Sequence, residues 1–309
     1  MKTQPYDLIG DIHGQHAKLT DLLAKLGYEP LGEGFRHPGG RKVIFLGDYI
    51  DRGPKVREVL VTVRSMVESG DALAIMGNHE YNAVCWHTPN GRGGWLRPRR
   101  LDRDSGLKVT LKQFAGREDE WSEWLEWMRR LPMFLDLGEL RAVHACWDAK
   151  RIKRLEGESI ANDSFLHASA ERGTSIHRAV DHVLKGPEMK MPEGCHYHDK
   201  DGVARKAVRV RWWDIPETGR ISDLAMPEPF DAPGDADEDE LRRVPDYGVH
   251  EPPVFFGHYW MPASREKAPL RHNLACLDFS AAREGPMVSY RWDGERLLDP
   301  GKFVVGNLN

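Results

Sequence analysis

Residues 43–53 read VIFLGDYIDRG, an apolar run that ends at a glycine and passes into a cluster of charged side chains. The same arrangement occurs before it, at residues 6–14 (YDLIGDIHG), and after it, at residues 72–80 (ALAIMGNHE). Short apolar runs bounded by turn-forming residues such as glycine are typical of buried strands. We therefore predict three strands, each followed by a loop that carries polar residues.

The segments between these strands have the periodicity of helices. Leucines recur at positions 19, 22, 23 and 26, and Gly27 follows them, which predicts a helix that ends at this glycine. A second helix is predicted from about Pro54, because proline suits a first turn and apolar residues recur at positions 56, 59, 60, 63 and 67. Strands that alternate with helices pair in parallel through helical crossovers. The first half of the chain therefore predicts an α/β fold.

The second half of the chain is less regular. Further elements are predicted as a helix at 118–130 and as strands at 133–137, 140–144, 254–256, 274–279 and 287–292. Between about 150 and 250 the sequence is rich in charge, proline and glycine, and it contains the acidic run DADEDE at 235–240. We interpret this region as an insertion or cap with an exposed acidic loop, inside a single domain that spans residues 1–309.

The composition excludes several classes of protein. The net charge is −4, from 44 Lys and Arg against 48 Asp and Glu, which argues against stable binding to nucleic acid. The four cysteines include no Cys-x-x-Cys pair, so we expect reduced thiols. Neither a signal peptide nor a run of about 20 apolar residues that could cross a bilayer is visible. We therefore expect a cytoplasmic protein that does not bind membranes.

The polar residues of the three loops should meet at one place. In an open α/β sheet the loops at the carboxyl ends of the strands converge on one crevice. Two further histidines, His144 and His258, also closely follow apolar runs. Carboxylate, amide and imidazole groups together suit hard or borderline divalent cations, and a carboxylate can bridge two of them. The sequence therefore predicts a site for a pair of metal ions.

The motifs GDIHG, GDYIDRG and GNHE resemble those of the calcineurin-like metallophosphoesterases. Within that superfamily they are most similar to the branch that contains Ser/Thr protein phosphatases, phage-type phosphatases and symmetrical diadenosine tetraphosphatases. The resemblance covers residues 6–147 well and residues 253–292 more loosely. It implies an α/β sandwich of two mixed β-sheets flanked by helices, with the active site at one edge.

The resemblance also implies a role for each polar residue of the motifs. The implied metal ligands are Asp11 and His13 for the first ion, Asp48 as the bridge, and Asn78, His144 and His258 for the second ion. His79 would be the general acid, oriented by Asp51, and Arg52 would hold the substrate phosphate. Two divalent metal ions are implied, with Mn²⁺ favoured and Fe, Zn²⁺ or Ni²⁺ as alternatives. A metal-bound hydroxide would attack phosphorus directly.

The sequence departs from the family pattern beside two of these ligands. Ala145-Cys146-Trp147 follows His144, and Tyr259-Trp260 follows Gly257-His258, where bacterial members have Gly-His-Thr. These changes keep the ligands but alter the surroundings of the substrate. The arginines of residues 92–103, here called the basic loop, form either a solvated surface loop or part of an entrance for anionic substrates.

The function expected first is hydrolysis of phosphomonoesters, as in protein phosphatases, with a phosphoprotein or a nucleotide as the substrate. The alternative is symmetrical hydrolysis of a dinucleoside polyphosphate such as diadenosine tetraphosphate, because the same metal site can cleave either bond. A nucleic-acid phosphodiesterase is disfavoured by the negative net charge. A non-catalytic scaffold would have lost ligands, whereas every expected position is filled.

Overall fold

A computed structural model describes residues 3–99, 105–192, 194–198, 204–217, 219–226 and 234–307. The strands are Tyr6–Ile9 (β1), Glu29–Leu31 (β2), Gly34–Arg36 (β3), Lys42–Phe45 (β4), Ala72–Ala74 (β5), Phe134–Asp136 (β6), Arg141–Val143 (β7), Glu188–Lys190 (β8), Tyr197–His198 (β9), Ala204–Arg205 (β10), Ala207–Val210 (β11), Ala225–Met226 (β12), Val254–Phe256 (β13), Leu274–Cys276 (β14), Val288–Trp292 (β15) and Phe303–Val305 (β16). The helices are His16–Lys25 (α1), Val56–Glu68 (α2), Asn78–His87 (α3), Ser105–Gln113 (α4), Glu118–Arg129 (α5), Ala149–Leu155 (α6), Asp163–Ala170 (α7), Ser175–Lys185 (α8), Ile221–Leu224 (α9) and Glu238–Leu241 (α10), with a 3₁₀ turn at Pro300–Lys302. None of the helices in the described ranges combines the length and the apolar character needed to cross a lipid bilayer.

The larger sheet has the strand order β16-β15-β1-β4-β5. β1 pairs in parallel with β4, and β4 pairs in parallel with β5. The helices α1 and α2 lie between these strands in the chain, which confirms the parallel order predicted from the sequence. β15 and β16 extend the sheet by antiparallel pairing, so the sheet is mixed.

The second sheet has the order β14-β13-β7-β6. β13 is parallel to both of its neighbours, whereas β6 is antiparallel to β7. The two sheets share one hydrophobic core, in which the rings of Phe255 on β13 and Tyr290 on β15 lie 5.1 Å apart. α2 buries Val59, Leu60 and Val63 in the same core. This arrangement confirms the expected α/β sandwich of two mixed sheets flanked by helices.

The region from about 150 to 250 contains both packed helices and a small separate sheet. Ile152 of α6 and Val183 of α8 belong to the main core. The sheet β12-β11-β8 has a smaller core of its own, which includes Val208 and Leu224. The interpretation of this region as an insertion inside a single domain stays a prediction.

Several segments are more helical than the sequence predicts, because no helix is predicted where α3, α4 and α6 to α10 lie. The acidic run at 235–240 is exposed but is not an open loop, because Asp237 caps α10 by accepting hydrogen bonds from two backbone N–H groups. α3 is not predicted from the sequence at all, although it begins on Asn78 itself, and residues on all its sides are buried. A helix that is buried all round has no single apolar stripe, and periodicity therefore cannot detect it.

Candidate metal centre

Five strand ends meet at one edge of the sandwich. Asp11 and His13 follow β1, Asp48 follows β4, Asn78 and His79 open α3 after β5, His144 follows β7, and His258 follows β13. Within each sheet these strands run in parallel, so their carboxyl ends lie on the same side. These side chains are buried, except that His79 remains 18% exposed.

The first group of donor atoms consists of His13, Asp48 and His79, with one ligand atom of each within 4.8 Å of the others. The Nε2 atoms of His13 and His79 lie 3.4 and 3.8 Å from Oδ2 of Asp48. Nδ1 of His13 donates a hydrogen bond to the carbonyl oxygen of Ile50 at 2.8 Å, which leaves the lone pair of the neutral ring on Nε2. Burial and the charge of His79 lower the pKa of His13 to about 3 and keep its ring neutral.

The second group consists of Asp48, His144 and His258, with the amide of Asn78 beside them. Nδ1 of His144 donates to the carbonyl oxygen of Leu46 at 2.8 Å. Its Nε2 lies 3.1 Å from Oδ1 of Asn78 and 3.4 Å from Oδ1 of Asp48, so electron-rich atoms converge there. Although burial alone would lower it, the charge of Asp48 raises the pKa of His144 to about 10. This position therefore attracts positive charge.

Two unpaired nitrogen atoms mark the same place. Within the described ranges, the Nε2 atoms of His13 and His258 are buried and have no hydrogen-bond partner. Buried polar atoms are nearly always hydrogen-bonded, so these two nitrogen atoms are candidates to bind a ligand. Although burial alone would raise it, the charges of His144 and His79 hold the pKa of Asp48 well below its usual value. An ionised carboxylate between imidazole groups is a donor set that fits a pair of divalent cations.

Asp11 lies beside these two groups rather than inside either of them. Its carboxylate oxygens accept the backbone N–H of His258 at 3.1 and 3.2 Å. Gly257 permits this contact, because a Cβ atom at that position would lie 2.0 Å from Oδ1 of Asp11. Asp11 therefore joins the loop after β1 to the loop after β13, and its assignment as a metal ligand stays a prediction.

His79 is held by a second carboxylate, Asp51. Nδ1 of His79 lies 2.5 Å from Oδ2 of Asp51, and Oδ1 of Asp51 accepts the hydroxyl of Thr110 at 2.7 Å. Although burial alone would lower it, the charges of Asp48 and Asp51 raise the pKa of His79. The ring is therefore oriented with Nε2 towards the metal groups and favours its protonated form, which suits a general acid. Thr110 was missed from the sequence because it lies 59 residues from Asp51 in the chain.

Arg52 stacks on Trp260, with its guanidinium carbon 4.5 Å from the ring centroid. Its Nε is buried and has no hydrogen-bond partner among the residues described. A guanidinium offers a planar set of donors that matches a phosphate group. Arg52 can therefore hold a phosphate beside the metal groups.

Backbone strain is concentrated in these loops. Positive φ angles between 47° and 72° occur at His13, Asp48, Asp51, Arg52 and His258. Left-handed backbone at a residue other than glycine costs about 1–3 kcal/mol and persists where the surroundings enforce it, typically at functional sites. The strain at these five positions thus falls on residues for which a role in the centre is predicted.

Glu80 is a site residue to which the sequence interpretation assigned no role. Its carboxylate accepts hydrogen bonds at 2.8 to 3.2 Å from the backbone N–H groups of Gly77, Asp48, Tyr49 and Ile50. These bonds tie the start of α3 to the loop after β4. Its position three residues after the helix N-cap, typical of a capping box, is the signal that could have identified it.

Arg99 of the basic loop packs against two tryptophan rings. Arg99 lies over the rings of Trp86 and Trp95, at 4.3 and 3.2 Å, and its Nε donates to the carbonyl oxygen of Trp86. Arg99 is therefore held by packing. Arg100 and Arg103 of the basic loop lie outside the described residues, and a role of this loop at an entrance stays a prediction.

Comparison with protein families gives one match that covers most of the chain. The calcineurin-like phosphoesterase family model matches residues 5–213. This match includes the three motifs and His144 and stops before His258.

Curated relatives are similar over a shorter part of the chain. The asymmetrical bis(5'-nucleosyl)-tetraphosphatase PrpE of Halalkalibacterium halodurans is 45% identical over 115 residues, which are 37% of this chain and 43% of that protein. The protein of the same name from Anoxybacillus flavithermus is 46% identical over 147 residues, which are 45% of this chain and 56% of that protein. The chain thus spans about half the length of the curated relatives it matches. Among solved structures, a cold-active protein-tyrosine phosphatase of Shewanella aligns with 98% of this chain and 80% of its own, at 15% identity and a TM-score of 0.44.

Proposed function

Since this chain belongs to the calcineurin-like phosphoesterase family, we propose that it hydrolyses the polyphosphate bridge of a bis(5'-nucleosyl) tetraphosphate with the help of two divalent cations. The hydrolytic part is carried by one observation, the convergence of donor atoms from His13, Asp48, His144 and His258 with two buried, unpaired nitrogen atoms among them. The nucleotide part is supported by the curated relatives, which are named for this substrate.

The proposed ligands divide into two sets that share Asp48. His13 and Asp11 would hold the first cation, and Asn78, His144 and His258 would hold the second. Because the donors are oxygen and imidazole nitrogen without thiolate, we propose Mn²⁺ as the first choice, with Fe, Zn²⁺ or Ni²⁺ as alternatives. When bound, the cations would lower the pKa of a water molecule and neutralise negative charge on the phosphate.

His79 would supply the proton that the leaving oxygen needs. The carboxylate of Asp51 holds Nδ1 of the ring, so the transferable proton sits on Nε2, on the side of the metal groups. Because nearby carboxylates raise the pKa of His79, the protonated ring persists closer to neutral pH. Asp51 acts through His79 and is a positioning residue.

Arg52 would bind the phosphoryl group under attack. Stacking on Trp260 restricts its guanidinium, and its Nε has no protein partner among the residues described. Donors that are already in place when negative charge develops on the phosphoryl oxygens lower the barrier without a reorganisation cost.

The proposed substrate differs from the one expected first from the sequence. From the motifs alone, phosphomonoesters are expected first and dinucleoside polyphosphates are the alternative. The same metal site can cleave either bond, so the motifs do not separate the two. The names of the relatives favour the second class, and they specify asymmetrical cleavage. We therefore propose that diadenosine tetraphosphate would be cleaved to ATP and AMP, whereas the symmetrical alternative would give two molecules of ADP.

The test is a substrate panel with product analysis. Purified protein with Mn²⁺ is incubated separately with diadenosine tetraphosphate, p-nitrophenyl phosphate and a phosphopeptide, and the nucleotides are separated by chromatography. We expect ATP and AMP as the first products and loss of turnover in EDTA. Asp48→Asn, prepared in parallel, should be inactive, which excludes a contaminating hydrolase.

Each other product pattern rejects part of the proposal. Two ADP molecules would establish symmetrical cleavage. Turnover of p-nitrophenyl phosphate and the phosphopeptide without cleavage of the dinucleotide would instead support the hydrolysis of phosphomonoesters, the function expected first from the sequence. No metal-dependent turnover of any substrate would reject the hydrolase altogether.

A further inference from the structure

Trp260 lies next to the proposed metal groups and contacts two arginines. Its ring centroid is 6.1 Å from that of His13. The guanidinium carbon of Arg52 lies 4.5 Å from the Trp260 centroid, and that of Arg283 lies 5.6 Å from it. The two guanidinium carbons are therefore at most about 10 Å apart, the sum of these distances. Arg283 belongs to none of the sequence motifs.

The loop that carries Arg283 is fixed to the rest of the molecule. The buried carboxylate of Asp278 accepts the backbone N–H groups of Trp260 at 2.7 Å and of Ser280 at 3.0 Å. Lys18 of α1 is buried, and its ammonium donates to three carbonyl oxygens within residues 281–285, including that of Arg283, each at 2.9 Å. All three donors of this lysine are thus used to hold one loop.

The strained backbone of the centre extends into this region. Trp260 and Ser280 have φ angles of 53° and 63°, and they complete the set of non-glycine residues with positive φ in the described ranges. Strain of this kind is kept only where surrounding contacts enforce it. The backbone of the loop that carries Arg283 is therefore held by the same kind of contacts as the loops of the metal groups, and the exposed side chain of Arg283 projects from this fixed backbone.

Neither Arg52 nor Arg283 is neutralised by a neighbouring carboxylate. Among the residues described, both lack an ion pair and a side-chain hydrogen bond, and Nε of Arg52 is buried. Other arginines that stack on tryptophan do have partners: Arg64 pairs with Glu68, and Arg99 donates to a backbone carbonyl. Two guanidinium groups without protein partners on one indole ring form a site for an anion that carries more than one charged group.

We propose that Arg283 is a second phosphate-binding residue, which contacts a phosphoryl group of the substrate next to the one held by Arg52. This inference rests on the proposed function and deepens it. A phosphomonoester has one phosphoryl group and occupies Arg52 alone, whereas an unbranched polyphosphate extends from Arg52 towards Arg283. Arg283 thus selects polyphosphate chains over single phosphoryl groups.

The experiment compares the binding of two inorganic ligands to the intact protein. Inorganic tripolyphosphate and orthophosphate are titrated by calorimetry into wild type and Arg283→Gln, at one fixed excess of Mn²⁺. Loss of contacts from a charged donor predicts that Arg283→Gln binds tripolyphosphate about 10- to 100-fold more weakly and orthophosphate within about twofold of wild type. Arg283→Lys should lose less affinity for tripolyphosphate than Arg283→Gln, because lysine keeps the positive charge although it lacks the planar set of donors.

Arg64→Gln is the matched control. Arg64 also stacks on a tryptophan, with its guanidinium carbon 5.3 Å from the ring of Trp124, but it lies in the later turns of α2 and pairs with Glu68. Its substitution should leave the affinities for both ligands unchanged. Circular dichroism melting of each variant separates a loss of binding from a loss of folding.

The outcomes separate this inference from the proposed function. The inference is overturned if Arg283→Gln binds tripolyphosphate as tightly as wild type does, or if it weakens the binding of both ligands equally. It is also overturned if Arg64→Gln weakens the binding of tripolyphosphate as much as Arg283→Gln does. Because binding is measured without turnover, these results do not depend on which substrate is cleaved. A protein that binds tripolyphosphate through Arg283 but does not cleave the dinucleotide would reject the proposed substrate and keep the second phosphate-binding residue.

Discussion

Replacing Asp51 by asparagine removes one negative charge from the residue that orients His79. The carboxylate oxygen lies 2.5 Å from Nδ1 of the imidazole, and asparagine can still accept a hydrogen bond from that nitrogen. The substitution therefore changes the charge beside the ring and largely keeps its orientation. The substitution tests whether His79 acts as a general acid and whether Asp51 controls the protonation of its ring.

The direction of the effect follows from this contact. An opposite charge within a few ångströms favours the charged form of a histidine. Because Asp51 is among the groups that raise the pKa of His79, Asp51→Asn should lower that pKa. His79 is protonated below its pKa and loses its proton as the pH rises, so the variant loses the acid at a lower pH than wild type. Above both pKa values, a smaller fraction of His79 is protonated in the variant, and the loss of rate should not exceed the about 10²- to 10⁴-fold that a general acid contributes.

The assay is a pH–rate profile with two kinds of leaving group. kcat/KM is measured with excess Mn²⁺ between about pH 5 and pH 9 on an alkyl phosphate, whose leaving oxygen needs a proton, and on p-nitrophenyl phosphate, whose leaving oxygen needs it far less. In Asp51→Asn the decline at high pH should move to lower pH for the alkyl phosphate. The rate on p-nitrophenyl phosphate should change by less than about tenfold.

Thr110→Val is the control for orientation without loss of charge. It removes the hydroxyl that donates to the other oxygen of Asp51 at 2.7 Å, and the carboxylate charge stays. The role of Asp51 and His79 would be refuted if the decline of kcat/KM occurs at the same pH in Asp51→Asn as in wild type, or if the rates on both leaving groups fall equally.

The double variant Asp51→Asn, His79→Asn should be no slower than His79→Asn alone, because the two residues act as one unit.

Two further predictions concern stability and metal binding. Burial and the charge of Arg151 lower the pKa of His182 to about 4, whereas an unfolded histidine titrates near 6.5. Stability should therefore fall by about 3 kcal/mol as the pH drops from about 6.5 to about 4, and an unchanged slope of urea-unfolding free energy against pH in His182→Gln would contradict this. Gly257→Ala places a Cβ atom 2.0 Å from Oδ1 of Asp11, so Mn²⁺ affinity measured by calorimetry should fall at least about tenfold. Gly248→Ala, whose nearest atom would lie 3.3 Å away, should bind Mn²⁺ normally, and equal affinities in the two variants would show that the contact is irrelevant.

The parts of the centre that could be predicted from the sequence are those encoded by neighbouring residues. A short apolar strand, a glycine and a polar cluster follow one another in the chain. The sequence alone therefore predicts β1, β4 and β5 and the loops after them. The parallel order follows from the helices between them. His144 and His258 could be named because each also closely follows an apolar run.

The supporting contacts could not be predicted, because they join residues that are far apart in the chain. Thr110 reaches Asp51 across 59 positions, and Lys18 reaches the carbonyl oxygen of Arg283 across 265. Neither residue carries a local pattern that distinguishes it from any other threonine or lysine. The substrate class had the same limitation, because the metal ligands are compatible with both phosphomonoesters and polyphosphates.

The hydrogen bonds among the loops explain why specificity should lie at the rim of the centre. The backbone N–H of His13 donates to the carbonyl oxygen of Asp48 at 2.7 Å, and the carboxylate of Glu80 joins the loop after β4 to the start of α3. Loops tied together in this way hold strained backbone and cannot change one ligand without disturbing the others. A change of substrate must therefore come from side chains beside the metal ligands. In this chain Arg283, which lies over the ring of Trp260, is placed where such a change can act, so weaker binding of tripolyphosphate after loss of Arg283 would locate the specificity outside the metal ligands.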